Sequence, residues 1–356
     1  MSGEPLNVLI VDDSRIFRGV IEEALSHRVD ARVVGSVWSG EKALEMARQN
    51  PPDLVTLDLE MPGIGGMQTL RALRELSRNF GRSIGVLLIS SHTQRGAAVT
   101  IEGLEEGAFD FITKPDGPDS RANEESFRQQ LFAKLDTFKS SRRIEPRDVI
   151  SNAAPPVFSK RVATRFRAVV IASSTGGPDA LTRLLPQFAP HCPVPMFLVQ
   201  HLPTGFTQYF ASSLSRRCNI PVVEAREGGI AESGVLHVAH GGTHLVLHAR
   251  DGRITTGFSD APPENGCRPA ADVLFRSAAV AYAGQVLVVV LTGMGTDGAK
   301  GAGVLKRAGA HVIAQDEATS IVWGMPGSVV AAGIADQVLP LAEIGPALMS
   351  QLGIGR

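Results

Sequence analysis

The chain has 356 residues, a formal net charge of −1 and 44 % apolar residues with few aromatics. Such a length exceeds one ordinary core and points to two domains. The near-neutral charge argues against nucleic acid or an anionic membrane held by bulk charge, and no apolar stretch is long enough to span a bilayer. The start, MSGEPLNVLIVDD, lacks the basic-then-apolar order of a secretory signal. Three cysteines, Cys192, Cys218 and Cys267, form no CxxC, so neither a disulfide framework nor a metal knuckle is expected, and a reduced, cytoplasmic setting is.

In chain order, LNVLIVDD (6–13) reads as a strand and SRIFRGVIEEALSH (14–27) as a helix. ARVVGSV (31–37) is strand-like, and SGEKALEMARQN (39–50) is a helix with Ser39 as its N-cap. Strands follow at 53–59, 83–91 and 110–115, then a last helix near 124–140. Continuous apolar strands separated by helices predict a parallel sheet covered on both faces. The basic, serine- and proline-containing stretch at roughly 140–160 reads as a linker. A second α/β pattern begins at Ala168, with strands at 168–173, 195–200, 222–225, 235–239, 244–249, 253–257, 285–293 and 311–315. The short, Gly-punctuated middle group predicts antiparallel hairpins inserted in a mainly parallel fold.

Ligands of open parallel sheets sit at the C-terminal strand ends. In the first domain those ends carry Asp12 and Asp13, Asp58, Ser90 and Ser91, and Lys114. Three converging carboxylates repel one another and invite a hard divalent cation such as Mg²⁺. A lysine across the pocket would counter a phosphoryl charge, and a hydroxyl would hydrogen-bond it. Taken one at a time, each is a helix cap; the whole set in the right order is not. The set resembles a response-regulator receiver domain. That resemblance implies Asp58 as phospho-acceptor, Asp12 and Asp13 helping to hold Mg²⁺, Ser90 as switch hydroxyl and Lys114 as contact for the acyl phosphate. It puts the aromatic switch position at Phe109 or Phe111.

In the second domain the strand VVIAS runs straight into STGGP (174–178), a cramped turn opening a helix. An N-cap is the plain reading of a lone serine there. The turn is neither GxSxG nor a Walker A or GxGxxG loop. Two further strand ends change the balance: PMFLVQ is followed by His201, and QVLVVVLTG by MGTDG with Asp297. On one sheet edge, Ser174, His201 and Asp297 can meet as nucleophile, general base and base-orienting carboxylate.

The stretches SSTGGP, QHLPTGFT, CRPAADVLF, LTGMGTDG and AQDEATSIVWGMP resemble the catalytic domain of the chemotaxis protein-glutamate methylesterase (CheB) family. With a receiver in front, the likeness spans nearly the whole chain. It implies a five-stranded, doubly wound receiver at 1–140, a linker at 141–164 and, at 165–356, an α/β hydrolase-like domain with a mainly parallel sheet and an antiparallel hairpin insertion. The activity it implies is hydrolysis of glutamyl methyl esters, and deamidation of glutamines, on the cytoplasmic helices of chemoreceptors. A chemotaxis histidine kinase would donate the phosphoryl group, Mg²⁺ would serve the receiver, and ester hydrolysis would need no cofactor; nucleic-acid binding and membrane insertion are not expected. Carried over, the nucleophile is Ser174, with Ser173 at a usually small position. Met294 supplies an oxyanion N–H, and Thr175 lies beside the nucleophile, able to hydrogen-bond His201. Cys267 departs from the pattern, since relatives often carry histidine there. A receiver joined by one linker to a hydrolase with no other visible regulator leads us to expect that the unphosphorylated receiver blocks the Ser174 edge until Asp58 is phosphorylated. A phospho-switched scaffold with a degenerate hydrolase domain is the rival, disfavoured by the intact Ser, His and Asp set. The histidines of LHVAHGGTHLVLH (His237, His240, His244, His248) alternate across a strand–turn–strand and lack a recognised zinc-ligand spacing, so no metal site is assigned to them.

Overall fold

The computed structural model describes residues 4–91, 93–115, 120–142 and 166–354. Apart from residues 141 and 142, the expected linker at 141–164 lies outside them. The chain divides into two units between residues 140 and 141.

In the first unit the elements are β1 (Leu6–Val11), α1 (Arg15–Ser26), β2 (Ala31–Val37), α2 (Gly40–Gln49), β3 (Leu54–Asp58), α3 (Gly65–Phe80), β4 (Gly85–Ser90), α4 (Gln94–Glu105), β5 (Asp110–Thr113) and α5 (Ser120–Arg142). The five strands are parallel in the order β2-β1-β3-β4-β5. β3 and β4 are buried along their whole length, which is why they read as unbroken apolar runs. Ser14 and Ser39 cap α1 and α2 by accepting the N–H of Phe17 and Lys42. The helix expected near 124–140 starts earlier, at Ser120. The order reverses between β1 and β3, leaving a crevice where Asp12, Asp13 and Asp58 emerge.

The second unit continues with β6 (Ala168–Ser173), α6 (Gly177–Phe188), β7 (Met196–Gln200), α7 (Thr207–Cys218), β8 (Val222–Glu224), β9 (Leu236–Val238), β10 (His244–Arg250) and β11 (Arg253–Ser259). Then come α8 (Ala271–Tyr282), β12 (Val286–Val290), α9 (Ala299–Arg307), β13 (His311–Gln315), α10 (Met325–Ala331), β14 (Gln337–Leu339) and α11 (Leu341–Leu352). Seven strands form one sheet in the order β14-β13-β12-β6-β7-β9-β8, with parallel neighbours throughout. β6, β7 and β12 are wholly buried. The expected group of antiparallel hairpins reduces to one pair, β10–β11. β8 and β9 instead extend the parallel sheet, because Met196–Leu198 of β7 offers a free edge that Leu236–Val238 completes. Strand β14, three residues long, carries no apolar run and was not foreseen. The reversal point of this sheet is β6, with β7 on one side and β12 on the other. The chain leaves β6 into the serine turn, so the fold's natural binding crevice opens at Ser174.

Candidate active site

Helix α6 has Gly176 as its N-cap, at φ 77°, with no side-chain cap bond. Neither serine of the turn therefore caps the helix. Ser173 is buried, and its hydroxyl donates to Gln200 Oε1 at 2.7 Å. Ser174 is half-buried, its backbone held by its N–H to Thr292 O (3.1 Å) and by Gln200 Nε2 donating to its carbonyl (3.0 Å). Thr175 is buried, and Thr292 Oγ1 donates to its carbonyl at 3.0 Å. A left-handed residue at Gly176 lets the chain reverse here, where an added Cβ would fall 2.7 Å from Ile321 Cβ.

Strand register brings the next residue in. Ser173 pairs with Gln200, so Ser174 and His201 leave adjacent strands together, and His201 N donates to Ser173 O at 3.2 Å. His201 Nε2 lies 2.8 Å from Asp297 Oδ2. Asp297 is almost fully buried and receives four more donors: the N–H of Ala271 (2.6 Å) on Oδ2, and those of Asp272 and Gly298 (3.0 Å each) with Asn265 Nδ2 (3.1 Å) on Oδ1. Burial pushes the Asp297 carboxyl up, but His201 and these N–H groups outweigh it and leave it below its usual value. For His201, burial favours the neutral ring, yet Asp297 and Cys267 win and raise the pKa to about 9.

Cys267 is the residue whose place the sequence did not disclose. Its Sγ is 3.6 Å from His201 Nδ1, the nitrogen that Asp297 leaves over. Among the described residues, Ser174 Oγ makes no hydrogen bond to that nitrogen. The strand end after β12 closes the third side: a Cβ on Gly293 would fall 2.9 Å from Ser174 Cβ, so the Gly293–Met294 peptide runs beside the serine. Met294 and Ile321 are 43 % and 44 % exposed there. An Asp272 carboxyl, fully buried and raised by that burial, shares Asn265 with Asp297. Sequence reading assigned Asn265 and Asp272 no role, since neither stands at a strand end.

In the first unit, carboxylate oxygens of Asp12, Asp13 and Asp58 lie within 4.8 Å of one another. Asp12 and Asp58 are buried and Asp13 is exposed. Lys114 Nζ is 2.7 Å from Asp58 Oδ2 and 2.9 Å from Asp12 Oδ2. Burial, with Asp58 beside it, raises the Asp12 carboxyl despite Lys114. A hard divalent cation relieves that repulsion, and an all-oxygen donor set suits Mg²⁺. Ser90 Oγ is turned toward α4, donating to the carbonyls of Ser91 (3.2 Å) and Gly96 (3.4 Å) and accepting from Thr100 Oγ1 (2.5 Å). Phe109 is buried against Phe138, while Phe111 is half-buried.

The histidine group forms no joint site among the described residues. His237 is buried and stacks on Phe197; burial lowers its pKa to about 4. His240 packs on Phe258. His244 accepts the Ala270 N–H and donates to Pro262 O, and His248 is exposed.

Comparison with known proteins gives the family. Residues 169–348 match the CheB methylesterase family and residues 8–122 the response regulator receiver domain. The chain belongs to the CheB methylesterase family. A family member named protein-glutamate methylesterase/protein-glutamine glutaminase from Nocardioides sp. is 41 % identical over 98 % of this chain and 95 % of its own length. One of the same name from Trichodesmium erythraeum is 41 % identical over 97 % and 99 %. The crystal structure of the Thermotoga maritima CheB methylesterase catalytic domain is 40 % identical, with a TM-score of 0.51, and covers 52 % of this chain and 98 % of that one. This CheB-family chain is thus a hydrolase of the methylesterase class with a receiver domain ahead of it.

Proposed function

We propose that the protein is a phosphorylation-regulated protein-glutamate methylesterase and glutaminase of chemotaxis adaptation. It acts in the cytoplasm on the cytoplasmic helices of chemoreceptors and takes its phosphoryl group from a chemotaxis histidine kinase. The observation that carries the reading is the His201–Asp297 pair beside a serine that does not cap its helix.

Ser174 attacks the ester carbonyl while His201 Nδ1 takes its proton. Asp297 holds the imidazole through Nε2 and stabilises the imidazolium that forms. The Gly293–Met294 peptide supplies an N–H to the oxyanion, and Thr175 supports the turn. Methanol leaves with the proton returned by His201. Water, activated by the same nitrogen, then frees the glutamate carboxylate; a glutamine loses ammonia by the same steps. Exposed Met294 and Ile321 give the ester methyl and neighbouring helix side chains an apolar surface. In the receiver, Asp58 is the phospho-acceptor, Asp12, Asp13 and Asp58 hold Mg²⁺, Lys114 neutralises the phosphoryl oxygens, and Ser90 leaves its bonds to α4 to bond them. Mg²⁺, when bound, neutralises phosphoryl charge.

The test is methanol release from a methylated receptor cytoplasmic fragment, with and without a small phosphodonor and Mg²⁺. Release should vanish in Ser174→Ala, and its increase with phosphodonor should vanish in Asp58→Ala. Undiminished release from Ser174→Ala would sink the serine mechanism. Phosphorylation-dependent binding to the fragment without release would favour a scaffold.

A further inference from the structure

Residues 264–267 make a two-residue reversal. Glu264 N donates to Cys267 O at 3.1 Å and Cys267 N to Glu264 O at 2.9 Å. Between them Asn265 and Gly266 have φ of 53° and 76°. Positive φ at both central residues is the geometry that Asn-Gly adopts most readily. The Glu264 carboxylate is tied to α8, with Arg276 Nη1 donating to Oε1 at 2.9 Å. The turn is therefore fixed at both its backbone and its stem.

A fixed turn aims its side chains. Asn265 Nδ2 donates to Asp272 Oδ2 at 2.9 Å and to Asp297 Oδ1 at 3.1 Å. Cys267, at the other end of the turn, reaches His201 Nδ1. Asp272 is fully buried, and Gly301 N donates to its second oxygen at 2.6 Å. Burial and the neighbouring Asp297 and Glu264 charges raise its carboxyl. Two buried carboxylates this near repel each other unless a donor stands between them. Backbone N–H groups serve one or the other. Among the described residues, Asn265 is the side chain that donates to both.

We propose that Asn265 is a positioning residue for the base: its amide joins Asp297 to Asp272 and so fixes the carboxylate that holds His201. This rests on the methylesterase reading. The charged and titratable groups around the pair are Asp272, Glu264 with Arg276, Lys300 and the Cys267 thiol. With the Asn265 amide in place, Asp297 keeps one orientation and its charge, and the charge on His201 is set by Asp297 rather than shared with a second free carboxylate.

The experiment uses the full chain and methanol release from a peptide carrying glutamate γ-methyl esters, together with an NMR titration of the His201 imidazole. Asn265→Gly keeps a residue at ease with positive φ, and Asn265→Asp keeps the shape but turns the shared donor into a third carboxylate. Both should lower kcat about tenfold or more with KM nearly unchanged, since a misplacement of about 1 Å at a reacting group can cost on the order of a hundredfold. Asn265→Asp should also raise the His201 pKa. Wild-type kcat and His201 titration in both single variants, while Ser174→Ala is inactive, would overturn the inference and leave the methylesterase reading intact. Methanol release retained in Ser174→Ala would refute the serine mechanism, and no release from the wild type would refute the methylesterase reading; in either case the NMR titration would still report whether Asn265 governs the pair.

Discussion

Burial by itself would keep His201 neutral, yet Asp297 at 2.8 Å and the Cys267 sulfur at 3.6 Å raise its pKa to about 9. A general base must be neutral to take a proton. The rate of Ser174-dependent methanol release should therefore climb as pH rises toward about 9 and level off above it, with Ser174→Ala subtracted as the background of spontaneous hydrolysis. Cys267→Ala removes one of the two contacts that favour the charged ring, so this limb should move to lower pH. An unmoved limb would show that the thiol does not govern the base. The stability contribution has the opposite sense: the raised pKa stabilises the folded chain fully below about pH 6.5, and that stabilisation is lost as pH rises through about 9. Cys267 is also half-buried while Cys192 and Cys218 are buried, so iodoacetamide should label Cys267 first and lower methanol release as it does so. Loss of activity at the same rate in Cys267→Ala would assign the effect to another group.

At the scale of elements, the serine turn, the His201 strand end and the loop after β12 must approach more closely than side chains ordinarily permit. Gly293 shows how. A Cβ there would meet Met325 Sδ at 2.4 Å, Ser174 Cβ at 2.9 Å and Ser174 N at 3.0 Å. Gly293→Ala should destabilise the protein by about 1–3 kcal/mol, the usual cost of forcing a methyl into a packed site. It should also lower kcat by more than the fraction unfolded accounts for, because the clash falls on the nucleophile. Denaturant titration and methanol release on the same samples separate the two effects, and wild-type kcat would show that Ser174 is not displaced. Much of this level was legible beforehand: β2, β6 and β13 match the expected strands residue for residue. The strands β8 and β9 were expected too, but their pairing was not legible, because short alternating strands look the same in a hairpin and on the edge of a parallel sheet.

Over the whole molecule, each unit has its own sheet and its own ligand edge at a reversal of strand order. Mg²⁺ bound at Asp12, Asp13 and Asp58 stabilises only the fold that carries them, by mass action. In a thermal melt followed by calorimetry, Mg²⁺ should raise the midpoint of the transition belonging to the receiver. Asp12→Asn, which removes one carboxylate charge from the cluster, should weaken that response. An equal response in Asp12→Asn would place the ion elsewhere. A phosphodonor should label the full chain once, and Asp58→Asn should take up no label.

The order of the chemistry-bearing residues is written in the chain: apolar runs end in Asp12, Asp58, Lys114, Ser174 and His201, and parallel strands deliver their ends to one edge whatever the details. Asp297 was legible for the same reason, as part of the loop leaving β12. Tertiary structure alone decided that the Ser173 hydroxyl turns inward to Gln200, which it does only once β6 and β7 are in register. It also decided that Asn265 and Cys267 reach Asp297 and His201. Those contacts join segments 32 and 66 residues apart. No local pattern encodes such a pairing, since it arises from packing α8 and its preceding turn against the sheet edge.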